Sequence, residues 1–103
     1  MITALKNFRT YHLAVDFYGE CKGVKLTPSL RDQLTRATES VVLNLAEGSA
    51  KPTERDRARY YAISLASFRE CQAILTLADQ ASLLTRFDIL GGCLYRLSRA
   101  TAK

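Results

Sequence analysis

The stretch QLTRATESVVLNLAEG, from Gln33 to Gly48, decides the fold of this 103-residue chain. At about 100° per residue, five apolar positions in and just before it fall within an arc of about 80°, which predicts a helix with one narrow apolar stripe. These positions are Leu30, Leu34, Ala37, Val41 and Leu45. The opposite side of the last turns carries Val42, Leu43 and Ala46, so these turns are apolar all round. Because such a helix must be covered on every side, we expect its own domain on one side and another protein molecule on the other.

The composition is typical of one soluble globular domain. Apolar residues make up 48% and charged residues 24% of the chain, and 103 residues suffice for a single domain, residues 1–103, with one modest core. No apolar run approaches the roughly 18 residues that a membrane span needs. The first ten residues, MITALKNFRT, lack the basic, apolar and small-residue segments of a signal peptide. We therefore expect a cytoplasmic protein with no membrane partner.

The residues that usually carry catalysis or bind metals are scarce. Cys21, Cys71 and Cys93 are odd in number and widely spaced, which favours free thiols packed within helices over disulfides. No C-x-x-C pair occurs, and His12 is the only histidine, so zinc or di-iron sites are not expected. Glycine-rich phosphate loops, dinucleotide fingerprints and nucleophile motifs are also missing from the sequence. The sequence predicts a protein that is not an enzyme and that needs no cofactor.

Capping signals divide the chain into four predicted helices. The first covers residues 3–22, ends before Gly23 and is expected to bury one face; the residues of that face are Leu5, Phe8, His12, Val15 and Tyr18. The second begins at Pro28, with Thr27 as its N-cap, and runs to Glu47, with Gly48 as its end signal. The third begins after Thr53, with Asp56 answering the cap, and reaches about residue 80 or 82.

The fourth helix is predicted for residues 86–101, with Thr85 and Asp88 repeating the cap pattern. Gly91-Gly92 weakens it, because each glycine costs about 1 kcal/mol relative to alanine in a helix interior. The pair indicates either a kink or late start of the helix, or a close approach by another backbone. We favour the close approach.

Four helices joined by short loops predict an all-α, up-down-up-down antiparallel four-helix bundle. The apolar residues of the third helix cover roughly 240° of its circumference, which is more than one bundle core needs. They are Tyr60, Tyr61, Ile63, Leu65, Phe68, Cys71, Ile74, Leu75 and Leu77. We therefore expect the bundle to oligomerise through the outer apolar faces of helices 2 and 3.

Several positions of the second and third helices match a known family pattern. They are Gln33, Arg36, Ala37, Ser40, Asn44, Ala46, Glu47, Gly48, Tyr60, Ser67 and Glu70. With these residues the chain resembles the four-helix-bundle proteins of 23S rRNA intervening sequences, whose relatives include the accessory variability proteins of diversity-generating retroelements. The resemblance spans roughly residues 8–98, and the N-x-A-E-G ending is its most specific part. Ala66 departs from the pattern, because the family usually has glycine there.

The resemblance implies a homo-oligomer, a barrel-like pentamer of bundles in known relatives, without catalytic activity. In the retroelement branch the barrel binds nucleic acid and a reverse transcriptase through a basic surface. The resemblance also suggests a structural or oligomer motif, made of Gln33, Arg36, Asn44, Glu47, Gly48, Ser67 and Glu70. Within it, we expect Asn44 and Glu47 to form capping or inter-helix hydrogen bonds with Arg36, Ser67 or Glu70, because a buried amide needs partners.

Charge is the compositional feature that points to a partner. The chain carries a net charge of +5 with a pI near 9.4, and most of its bases are arginines, which suit bidentate phosphate contacts. Two groups are candidates for nucleic-acid binding: Arg55 with Arg59, and Arg96 with Arg99 and Lys103, with Lys6, Arg9 and Arg86 expected near the second group. For the first group the alternative is a solvated surface, to which the nearby Glu54 and Asp56 contribute; for the second, favourable charge at a helix C-terminus is an equally natural explanation.

Two functions follow from these patterns. The first is non-enzymatic binding of RNA or DNA, or of an RNA–protein complex, by the basic surface of a homo-oligomer. The alternative is a structural or adaptor module with a protein partner, in which the positive charge is incidental. Tyr60 and Tyr61 could stack on bases, although their place in the apolar arc favours packing.

Overall fold

A computed structural model of the chain describes residues 5–99. This part contains five helices and no strand, which confirms the predicted all-α class. The helices are α1 (Arg9–Cys21), α2 (Pro28–Ser49), α3 (Glu54–Leu77), α4 (Ala81–Arg86) and α5 (Asp88–Ser98). The Cα atoms extend over 40 × 28 × 22 Å along the principal axes. No helix in the described range is long and apolar enough to cross a membrane.

The starts of the two long helices are capped as the sequence predicts. The Thr27 hydroxyl accepts a hydrogen bond from the Leu30 N–H at 3.3 Å, with Pro28 at the first helical position. The Thr53 hydroxyl accepts from the Asp56 N–H at 3.1 Å. Each cap satisfies one of the backbone donors that a helix leaves free in its first turn.

The helix ends differ from the prediction. Gly48 lies inside α2, which continues to Ser49, and no glycine of the described chain has the positive φ of a glycine cap. The left-handed residue is Asp79, at φ 60°, beyond α3, which ends at Leu77 instead of residue 80 or 82. There the Gln80 N–H donates to the Leu75 carbonyl at 3.0 Å, and the Asp79 N–H donates to that of Thr76 at 3.1 Å. This is a Schellman motif with aspartate in the glycine position.

The predicted fourth helix is divided into α4 and α5 at Phe87. Phe87 is buried and its ring packs 5.2 Å from that of Phe17, so the chain bends where this side chain enters the core. Thr85 is therefore not a cap; it lies inside α4 and donates to the Ala81 carbonyl at 3.1 Å. Gly91 and Gly92 lie inside α5, which begins at Asp88, so the chain bends at Phe87 and not at the glycines. A Cβ on Gly91 would lie 3.1 Å from the Phe68 ring, so a side chain approaches it, not a backbone.

The predicted first helix is interrupted: Leu5 and Lys6 are helical, the chain turns at residues 7 and 8, and α1 begins at Arg9. Residues 3 and 4 lie outside the described range. The buried face of α1 is also different, since Thr10, Ala14, Phe17 and Cys21 are buried while Val15 is 40% exposed. Small residues spaced three and four apart let this helix pack closely, and a search for large apolar residues alone selects the wrong face.

The helices enclose one core centred on Phe17. Its ring lies 5.1 Å from Phe68 and 5.2 Å from Phe87 in edge-to-face geometry, which favours aromatic pairs beyond their apolar burial. The predicted stripe of α2 is confirmed, because Leu34, Ala37, Val41 and Leu45 are buried and Leu30 packs against the core. The other fully buried leucines are Leu75, Leu90 and Leu94.

The outer side of α2 is less apolar than the sequence suggests. Leu43 is 65% exposed, but Val42 and Ala46 are half-buried. The remaining exposed positions of this helix are mainly polar; they include Gln33, Arg36, Glu39 and Glu47. On α3, Ile63 and Leu77 are exposed as expected of an outer apolar face. The prediction of an apolar outer face therefore fits α3, whereas on α2 the exposed apolar surface is limited to the last turns around Leu43.

Candidate nucleic-acid interface

The ends of several helices meet at one end of the molecule. Gly48, near the end of α2, contacts Tyr60 and Tyr61 at the start of α3. The ring of Phe8, just before α1, lies 6.0 Å from that of Tyr61.

Helix α5 runs antiparallel to α3 and brings its own end to the same place. Asp88 lines a depression with Gln72 and Thr76, whereas Gly91 lies against Phe68, so successive α5 residues meet earlier residues of α3. Continuing this direction places the last turn of α5 beside the first turns of α3. We call this end of the molecule, with the starts of α1 and α3 and the ends of α2 and α5, the basic end.

Most of the positive charge lies at the basic end. Within residues 5–99 it carries eight basic and three acidic side chains; the bases are Lys6, Arg9, Lys51, Arg55, Arg57, Arg59, Arg96 and Arg99, and the acids are Glu47, Glu54 and Asp56. The opposite end is balanced, with Lys22, Lys25, Arg31 and Arg86 against Glu20, Asp32, Asp79 and Asp88. The surplus of positive charge in the described chain is therefore segregated, and such a field attracts polyanions.

The first candidate group, Arg55 and Arg59, is exposed at the start of α3. Arg59 lies 4.0 Å from the Asp56 carboxylate, and its guanidinium carbon lies 5.2 Å from the centre of the Tyr60 ring. Arg55 takes part in no ion pair within residues 5–99. Their neighbour Arg57 is not available in the same way, because it donates to the Lys51 carbonyl at 3.0 Å and fastens the preceding loop.

Glu47 does not form the expected inter-helix hydrogen bond. Its carboxylate pairs instead with Lys51, one turn further on, at 3.0 Å. This hydrogen bond and, to a lesser degree, the nearby Tyr60 raise the pKa of Lys51. The Lys51 ammonium also lies 5.0 Å from the centre of the Tyr60 ring, so Glu47 helps to hold a cation at the basic end.

The second candidate group is only partly described. Arg96 and Arg99 are exposed at the end of α5, and Arg99 lies 5.5 Å from the centre of the Tyr95 ring, whereas Lys103 lies outside the described residues. Lys6 and Arg9 share this end as expected, but Arg86 does not. Arg86 pairs with Glu20 at 3.2 Å at the opposite end of the molecule, because α4 lies where the chain turns back after α3.

Asn44 anchors a small polar network between α2 and α3. Its amide donates to the Ser40 carbonyl at 2.9 Å and to the Ser40 hydroxyl at 3.0 Å, and that hydroxyl shares a 2.6 Å hydrogen bond with Ser67. The predicted link to Ser67 therefore exists, but it passes through Ser40. Every buried side-chain nitrogen or oxygen in the described chain has a partner, so the network fixes the packing of the two helices without leaving a buried donor unpaired.

Gly48 lets α2 and α3 approach each other closely. A Cβ at this position would lie 2.8 Å from Tyr61 Cε1 and 3.1 Å from Tyr60 Cβ. Since carbon atoms in contact are normally about 3.5–4.0 Å apart, only glycine fits without movement of these neighbours. The glycine of the N-x-A-E-G ending is thus explained by helix packing and not by a helix cap.

The remaining motif residues, Gln33, Arg36 and Glu70, are exposed. Within the described range none of the three takes part in a side-chain hydrogen bond or ion pair. The structure accordingly brings Asn44, Gly48 and Ser67 together with Ser40 at the α2–α3 interface. It gives no intramolecular function to Gln33, Arg36 and Glu70.

Sequence reasoning missed Ser64 and Tyr95. Ser64 is fully buried and donates to the Val41 carbonyl at 2.7 Å; the signal was its position at helical spacing between Tyr61 and Phe68. Tyr95 is 48% exposed with Arg99 over its ring, and the Tyr-x-x-x-Arg spacing placed both on one helix face. Of the two tyrosines considered for base stacking, Tyr61 is buried and Tyr60 is half-buried.

The positions of Cys21 and Cys71 suit packing in the core better than a nucleophilic or metal-binding role. Cys21 and Cys71 are buried, and burial raises the pKa of Cys21 to about 12 and that of Cys71 further still. A thiol with so high a pKa is protonated at neutral pH and is a poor nucleophile or metal ligand. Residues 5–99 contain no group of three or more His, Cys, Asp or Glu side chains that could hold a metal ion.

Comparison with known proteins identifies one family. The family model described as 23S rRNA-intervening sequence protein matches residues 8–98, which include all five helices and the motif of α2 and α3. No curated protein and no solved structure matches the chain.

Proposed function

Since this chain belongs to the 23S rRNA-intervening sequence protein family, we propose that it is a non-enzymatic protein that binds RNA through its basic end. The family description ties the chain to an RNA but names no reverse transcriptase. We therefore place RNA, alone or within an RNA–protein complex in the cytoplasm, before DNA as the partner.

The segregation of charge is the observation that carries this proposal. Among the described residues, eight bases and three acids share the basic end, whereas the opposite end is electrically balanced. Exposed Arg55, Arg96 and Arg99 can contact backbone phosphates without reading the sequence, and each contact releases counterions. The helix dipole favours cations at the end of α5, where Arg96 and Arg99 lie, but not at the start of α3, where Arg55 and Arg59 lie, so it does not explain the whole cluster.

The assembly we propose is a homo-oligomer of antiparallel four-helix bundles. Contacts between α2 and α3, such as Gly48 with Tyr61 and Ser40 with Ser67, pair later residues of one helix with earlier residues of the next, as an up-down arrangement requires. Exposed Leu43 and Ile63 offer apolar contacts to a neighbouring copy.

Gln33, Arg36 and Glu70 support the same assembly. They belong to the family motif yet are exposed and without intramolecular ion pairs in the described chain, which suits contacts between subunits. The pentamer is taken from the family resemblance. In such a ring every copy would contribute its basic end, and the repeated charge would form a continuous band for phosphates.

The test is a fluorescence-anisotropy titration of the purified protein against structured RNA, single-stranded DNA and duplex DNA at several salt concentrations. Light scattering in the same buffers gives the mass of the particle. We expect an oligomer that binds RNA with an affinity that falls steeply as salt rises. An intact oligomer that binds none of the three at low salt would contradict the proposal.

An adaptor with a protein partner is the second candidate, and a separate observation favours it. Leu77 is 75% exposed and Ile89 is 55% exposed, both away from the basic end. Single exposed apolar side chains are common on protein surfaces, but groups of them also mark protein interfaces. Replacing both by serine should leave RNA affinity unchanged if RNA is the partner. Under the adaptor function the basic residues can be neutralised without effect, and protein capture depends on Leu77 and Ile89.

A further inference from the structure

Aromatic rings with cations over them are concentrated at the basic end. Of the five such pairs in the described chain, three lie there: Lys51 and Arg59 with Tyr60, and Arg99 with Tyr95. The two tyrosines differ in availability. Tyr60 is half-buried and has two cations beside its ring, whereas Tyr95 is 48% exposed and has one.

We propose that Tyr95 stacks on an unpaired base while Arg99 contacts the adjoining phosphate, so that the basic end binds single-stranded RNA in preference to duplex. This inference rests on the proposed RNA-binding function and specifies the class of RNA. A base is available for stacking on a side chain only when it is unpaired and splayed out of its helix. Proteins that bind single strands without reading sequence combine such aromatic platforms with a basic surface, which is the combination found here.

The neighbouring residues fit this division of labour. Arg96 lies one turn before Arg99 and is exposed, so a second phosphate contact is available beside Tyr95. Arg96 and Arg99 have no ion pair within the described chain, and both charges therefore face solvent unneutralised. Tyr60 has a different task in this arrangement, which is to hold Lys51 and Arg59 in place.

The experiment compares a labelled single-stranded RNA of about 12 nucleotides with a duplex of the same length, at several salt concentrations. The variants are Tyr95→Leu, Tyr95→Phe and Arg99→Gln. The matched control is Tyr18→Leu, because Tyr18 also has a cation over its ring, Lys22 at 4.6 Å, but lies away from the basic end. Melting curves and particle mass are recorded for each variant, so that a loss of folding is recognised.

We expect Tyr95→Leu to weaken single-strand binding about five-fold or more, because stacking on one base is lost, while duplex binding and the salt dependence stay unchanged. Tyr95→Phe and Tyr18→Leu should bind like the wild type. Arg99→Gln should reduce the slope of log affinity against log salt by about 0.7, the value for one phosphate contact on a single strand.

Two other results would separate the two proposals. Single-strand binding that is insensitive to Tyr95→Leu, or duplex binding tighter than single-strand binding, would overturn the stacking proposal and leave RNA binding intact. If the wild-type protein binds neither RNA at low salt, the proposed function itself is wrong. Inorganic polyphosphate, which has no bases, serves as competitor, and its inhibition constant should be the same for Tyr95→Leu and the wild type.

Discussion

Gly48→Ala tests whether close helix packing accounts for the glycine of the family motif. The new Cβ would lie 2.8 Å from Tyr61 Cε1, about 0.7 Å or more inside a normal carbon–carbon contact. Neither neighbour can move freely. The Tyr61 ring is buried against Phe8, and the Tyr60 Cβ, 3.1 Å away, is fixed to the α3 backbone.

The magnitude follows from two opposing effects. Alanine is favoured over glycine in a helix interior by about 1 kcal/mol, whereas forcing a methyl group into a packed site typically costs about 1–3 kcal/mol. Since both contacts at Gly48 involve constrained atoms, the upper half of that range applies. We expect a net loss of about 1–2 kcal/mol in the free energy of unfolding, which lowers the melting temperature by roughly 5–10 °C for a chain of this size.

Gly19→Ala is the matched control. Gly19 also lies inside a helix, but a Cβ there would meet nothing within 4 Å, so this variant should gain about 1 kcal/mol. Thermal and urea unfolding at one protein concentration measure both changes, because the stability of an oligomer depends on concentration. In a Tyr61→Leu background, which removes the ring atom, the cost of Gly48→Ala should fall by about 1 kcal/mol or more. A Gly48→Ala protein as stable as Gly19→Ala would refute the packing explanation.

Three further predictions concern the core, a helix end and the thiols. Ser64→Leu should lower the free energy of unfolding by about 1–3 kcal/mol, because the serine side chain is fully buried between helices and a larger one does not fit. An unchanged midpoint of urea unfolding would show that the site has room for leucine. Asp79→Gly should raise the free energy of unfolding by about 0.5–1 kcal/mol, because glycine adopts φ 60° without strain, and a loss of stability would count against this reason. At pH 8 a thiol reagent should modify half-buried Cys93 first. Cys21 and Cys71 should react only after unfolding, because burial raises the pKa values of their thiols. Rapid reaction of all three thiols in the folded protein would contradict the burial of Cys21 and Cys71.

The sequence predicted the parts of the fold that depend on local patterns. The caps at Thr27 and Thr53 and the stripe from Leu34 to Leu45 were correct, because each depends on residues within a few turns of one helix. The break at Phe87 could not be predicted from local pattern. It depends on the packing of Phe87 against Phe17, which is 70 positions earlier in the chain.

The candidate site shows the same limit. The sequence identified Arg55, Arg59, Arg96 and Arg99 as exposed bases, but whether they share one end of the molecule depends on the directions of α3 and α5. Arg86 was assigned to the wrong end for this reason. Gly48 was read as a helix end because glycine has two uses, and only the distance to Tyr61 distinguishes close approach from a left-handed cap.

The most direct test of RNA binding by the basic end compares two variants that lose the same number of positive charges at different places on the molecule. One variant replaces four bases of the basic end by glutamine: Arg55, Arg59, Arg96 and Arg99. The other replaces four exposed bases elsewhere: Lys22, Lys25, Arg69 and Arg86. Both proteins lose the same net charge, so a difference between them reports position alone.

The measurement is the affinity of each variant for single-stranded RNA across a salt series, with particle mass recorded alongside. We predict that the basic-end variant keeps its mass, loses most of its affinity and shows a shallower salt dependence, while the other variant stays close to the wild type. Equal losses in the two variants would mean that the protein attracts RNA only through its total charge, and the assignment of function to the basic end would be wrong.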